Sequence, residues 1–145
     1  MAHNKNISAF LGAANVCADD LVRVYCALVA IELALKQHVR LGDHNVPSGL
    51  DRVALKMATG LKTGCRQRLA GMAARLRTDI AAIPVQSKSF SPVQAPADIY
   101  PYLRYTRMYG DGWGLPEASA QQIKTLLDTV NEVRSYLKTK FEMPL

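Results

Sequence analysis

One stripe of side chains limits what this chain can fold into. Ile7, Leu11, Ala14, Ala18, Leu21, Tyr25, Leu28, Glu32, Leu35 and Val39 follow one another at alternating steps of four and three residues. Only an α-helix, with about 3.6 residues per turn, brings such positions onto one face. All but Glu32 are apolar, so the face is suited to burial. Gly12 or the Asp19–Asp20 pair divides the stripe into a short helix and a long one, because glycine weakens a helix interior and aspartate favours its cap. From Val24 to Leu35 the other faces are apolar as well. That predicts a central helix, wrapped by neighbours.

The rest of the chain supplies those neighbours. Gly42-Asp43-His44-Asn45 reads as a loop, after which Pro47 and Ser48 open a short helix running through Ala58. The next helix is predicted from about Thr63 to Ile83, with Leu69, Met72, Ala73, Leu76 and Ile80 on its buried stripe, and Pro84 stops it. Val85 to Asp98 holds two further prolines and three serines without a helical period, giving an irregular arm over residues 84–99. After Tyr100 to Tyr109 and the turn Gly110-Asp111-Gly112-Trp113-Gly114, Pro116 and Glu117 suit the first turn of a final helix. Its expected buried face is Ile123, Leu127, Val130, Val133, Leu137 and Phe141. No strand alternation, repeat or coiled-coil length appears. The fold class is therefore all-α, a compact bundle of four to five helices in one domain over residues 1–145.

Several functional classes drop out. The longest apolar run, Val24 to Ile31, falls short of the roughly 20 residues that cross a bilayer. The first residues show no basic region followed by an apolar stretch, so a cytoplasmic protein is expected. Cys17, Cys26 and Cys65 form no C-x-x-C pair and read as reduced core thiols. His3, His38 and His44 lack carboxylate or thiol partners at metal-ligand spacing, and the glycines around Gly60 and Gly64 lack the phosphate-loop pattern. Neither a metal nor a cofactor is expected.

The charge is concentrated. The chain nets +6, yet Arg52 to Arg77 holds seven cations (Arg52, Lys56, Lys62, Arg66, Arg68, Arg75, Arg77) and no acid, so the remainder nets −1. One reading is a footprint for phosphates, which gains affinity by releasing counterions. The other is a solvated helix face, since Arg66, Arg68, Arg75 and Arg77 flank the apolar stripe and can keep their charge in water. Glu32 poses a sharper question, because it stands at a core position of the most apolar helix. A buried carboxylate must be neutral, hydrated or paired with a cation. Tyr100-Pro101-Tyr102-Leu103-Arg104-Tyr105-Thr106-Arg107-Met108-Tyr109 interleaves four tyrosines with two arginines. That mixture suits base stacking and phosphate pairing, or ordinary packing with hydroxyls at the surface.

Three segments resemble the HEPN domains, small helical bundles common in prokaryotic stress and defence systems such as toxin–antitoxin pairs. Ala30-Ile31-Glu32-Leu33-Ala34-Leu35-Lys36 looks like the family's central helix with its acidic residue, and His44-Asn45-Val46-Pro47 like its loop and following helix. Arg104-Tyr105, the Asp111 turn and the last helix resemble its closing block. The resemblance implies a homodimer that binds RNA or a nucleotide, with a nucleotidyltransferase or other protein as a further partner. It implies a ligand site of Glu32, Arg104, Tyr105, Arg107 and Tyr109 with part of the Arg66, Arg68, Arg75 and Arg77 face, and an ion pair between Glu32 and Arg104. Nuclease members carry an Arg followed by His after four to six residues, whereas here Tyr109 stands five residues after Arg104 and no histidine follows His44. Tyrosine, with a pKa near 10, is a poor base at neutral pH. Binding without efficient catalysis is thus the expectation. The alternatives are a metal-independent RNase using Arg104 and Tyr109, and a non-catalytic scaffold that docks an acidic protein.

Overall fold

The computed structural model describes residues 2–40, 46–56, 63–82 and 119–145. Within them the chain forms five helices and no strand: α1 (Ala2–Val16), α2 (Asp20–Leu35), α3 (Val46–Lys56), α4 (Thr63–Ala81) and α5 (Ala120–Phe141). The architecture is the all-α bundle that the spacing predicts. No helix among the described residues is long and apolar enough to cross a membrane.

The long stripe divides at the aspartates, and Gly12 stays inside α1. Asp19 has extended backbone and its carboxylate accepts the Val22 N–H at 3.0 Å, satisfying one of the orphan donors at the start of α2. Arg23 then bonds the Ala14 carbonyl through Nε at 3.0 Å, which closes the corner between α1 and α2. α2 packs against α1, α3 and α5, while α4 packs against α3 and α5. The central position of α2 follows from its apolar faces: Val24, Leu28, Ile31 and Leu35 are all fully buried. α4 buries Leu69, Met72, Ala73, Leu76 and Ile80, the face set by its spacing.

The last helix departs from expectation at both its start and its face. It begins at Ala120 and not at Pro116, because Ser119 and Gln122 cap each other. The Ser119 hydroxyl accepts the Gln122 N–H at 3.1 Å, and the Gln122 side chain accepts the Ser119 N–H at 2.9 Å. Gln122 Nε2 also donates to the Ala82 carbonyl at 2.8 Å, fastening the start of α5 to the end of α4. α4 itself ends at Ala81, slightly before the expected Ile83. The buried face of α5 is Leu126, Thr129, Val130, Val133 and Leu137, whereas Ile123, Leu127 and Phe141 are only half-buried. Beyond α5 the backbone turns at Glu142 with φ 54° and returns Met143 and Leu145 to the core. Arg134 Nε donates to the Leu145 O at 2.8 Å. All three cysteines are free, and burial pushes the Cys26 thiol up, with nearby Cys17 adding to the shift.

Candidate functional site

Three of the four arginines of α4 reach carboxylates on neighbouring helices. Arg68 and Arg75 converge on Glu132 of α5, at 2.9 Å and 2.7 Å, and Arg77 reaches Asp51 of α3 at 2.6 Å. Arg75 also lies 3.4 Å from the hydroxyl of Thr129, which donates to Asp79 Oδ2 at 2.6 Å. The Arg68 guanidinium sits 5.4 Å from the centre of the Tyr136 ring, which meets Phe141 edge-on at 6.1 Å. Burial pushes the Tyr136 phenol up to about 12, with the Cys65 sulfur beside it adding and Arg68 opposing. Such partly exposed pairs contribute only about 0–1 kcal/mol each. Their electrostatic effect is larger, because they offset most of the positive charge of this face. Arg66 is exposed and meets no carboxylate among the described residues.

Glu32 is only 3 % exposed, and Lys36 reaches back one turn to place Nζ 3.3 Å from its carboxylate. The expected partner Arg104 lies outside the described residues, as do Tyr105, Arg107, Tyr109 and the arm over residues 84–99.

Lys36 belongs to a different cluster of cations. After α2 the chain tightens into a turn, with the His38 and Val39 N–H groups both bonded to the Leu35 carbonyl at 2.9 Å. α3 lies beside this turn and presents Arg52 and Lys56, four residues apart and so on one face. Arg52 donates to the Arg40 carbonyl and Lys56 to the His38 carbonyl, which ties α3 to the turn that follows α2. The result is a cleft of about 510 Å³ lined by Lys36, Gln37, His38, Val39, Arg40, Arg52 and Lys56. Among the described residues four cations line it and no acid does. The C-terminus of α2 brings roughly half a negative charge, which the cations outweigh.

Chemically, this arrangement can hold an anion. In the sequence Arg52 and Lys56 stand out only as part of a charge run, Lys36 only as the end of the central-helix segment, and Arg40 not at all. The available signal was the four-residue spacing of Arg52 and Lys56 next to cations that follow a helix C-terminus. No three His, Cys, Asp or Glu side chains gather as a metal-binding group among the described residues. Comparison with protein-family models, with curated proteins and with solved structures finds no match to the chain.

Proposed function

We propose that this bundle binds RNA or a nucleotide through phosphates at the cleft between α2 and α3, without efficient catalysis. The observation that carries the reading is the set Lys36, Arg40, Arg52 and Lys56 around one cleft with no carboxylate in its lining among the described residues. On α4, Arg68, Arg75 and Arg77 already face Glu132 and Asp51, whereas in the cleft it is Lys36 that faces a carboxylate, that of Glu32. A phosphate entering the cleft displaces counterions from its own backbone and meets donors already held in place by carbonyls. The HEPN-like pattern around Glu32 and Arg104 points to the same class of ligand.

The test is incubation of the pure protein with labelled single-stranded RNA in chelator, scoring retention and cleavage as salt is raised, beside an Arg104→Ala control. Retention that falls steeply with salt and leaves the RNA intact is the expected result. Cleavage lost in the control supports the RNase reading instead. Failure to retain either RNA or a nucleotide at low salt overturns the proposal.

A further inference from the structure

Resting on that phosphate-binding reading, we infer that the cleft seats two consecutive phosphates of one nucleic-acid strand and leaves the bases unread. Arg52 and Lys56 stand one turn apart on α3, so their positions are separated by about 6 Å along the helix axis. That matches the step between neighbouring phosphates along an extended strand better than the shorter spacing within a pyrophosphate. Lys36 and Arg40 line the same cleft from the turn after α2, so each of its two walls carries two cations. The hydrogen bonds from Arg52 and Lys56 to the Arg40 and His38 carbonyls fix where those two side chains lie.

What the cleft lacks defines the ligand further. Among the described residues the one ring in its lining is the His38 imidazole, and no phenylalanine, tyrosine or tryptophan lines it. Its one apolar side chain is Val39. Charged donors on phosphates hold a backbone at a fixed register and carry no base specificity. The ligand class is a single-stranded nucleic acid bound without regard to sequence.

The experiment measures binding of short uridine and adenosine oligoribonucleotides by fluorescence anisotropy across a salt series, with uridine monophosphate as competitor. The logarithm of affinity falls against the logarithm of salt with a slope of roughly −0.7 per phosphate neutralised on a single strand. The double variant Arg52→Gln with Lys56→Gln is expected to flatten that slope by about 1.4. The charge-preserving pair Arg52→Lys with Lys56→Arg restores it, and circular dichroism confirms that both variants fold. Arg68→Gln, which removes a cation already facing Glu132, leaves the slope in place. The two oligonucleotides bind within a few-fold of each other, and the monophosphate fails to displace them at matched concentrations.

An unchanged slope in the Gln double variant, with the wild type still binding RNA, overturns this inference while phosphate binding elsewhere on the chain stands. Efficient displacement by the monophosphate also overturns it, in favour of a nucleotide site. No binding of any probe by the wild type overturns both readings.

Discussion

Replacing Thr129 by valine isolates one hydroxyl that joins α4 to α5. Thr129 is 2 % exposed, and its hydroxyl donates to Asp79 Oδ2 at 2.6 Å. Valine keeps the shape and removes the donor. A hydrogen bond to a charged acceptor contributes about 1.5–3 kcal/mol. The lower end applies here, because Asp79 is only half-buried and regains water when the bond is lost. The contact from Arg75 at 3.4 Å is too long to add much. A buried methyl in place of the hydroxyl recovers up to about 0.8 kcal/mol. The expected net loss is about 1 kcal/mol, read by urea denaturation with an unchanged m value. In an Asp79→Ala background the same substitution is expected to cost almost nothing, so the double-mutant cycle returns a coupling of about 1 kcal/mol. Additivity within about 0.5 kcal/mol shows that the bond contributes nothing, and refutes the reasoning.

Two further outcomes are expected. Gly12 and Gly71 sit inside helices with nothing within 4 Å of an added Cβ, so Gly12→Ala and Gly71→Ala each stabilise by about 0.5–1 kcal/mol. Thermal melts that show either variant unchanged or less stable contradict this. Tyr136 is pushed from 10.0 up to about 12, so the folded state holds its proton at a pH where the unfolded chain has lost it. Its contribution to stability is therefore intact below pH 10 and is lost as pH climbs from 10 towards 12. In an ultraviolet titration one of the six tyrosines ionises late, and that late step is absent from Tyr136→Phe.

How far the sequence could be read depended on whether a single helix decided the matter. The buried stripe of α4 was legible because Leu69, Met72, Ala73, Leu76 and Ile80 are apolar positions at helical spacing flanked by arginines. On α5 two leucines, Leu126 and Leu127, stand side by side, and periodicity alone does not choose between them. The choice falls to Leu126 along with Thr129, whose burial depends on Asp79 from another helix. A polar residue of this kind is invisible to an apolar pattern. The same limit hid the partners of Arg68 and Arg75, since Glu132 lies 64 and 57 residues away in sequence. Glu32 was recognisable as a buried carboxylate, and its neighbour Lys36 lies only one turn away. The cleft could not be assembled in advance, because it needs α3 to lie against the turn that follows α2.

The arrangement of helices also sets an order of assembly. α1 with α2, and α3 with α4, are pairs of neighbours along the chain, so each can pair through local contacts at small entropic cost. α2 and α4 barely touch, whereas α5 packs on both. As the polypeptide leaves the ribosome, the two hairpins can form early, with the α2–α3 packing between them. The apolar surface they turn towards α5 gains that helix as its partner only when residues 120–141 arrive. The interval before α5 docks is thus the period in which the nascent chain is most exposed to aggregation, and its length is set by the 38 residues between α4 and α5.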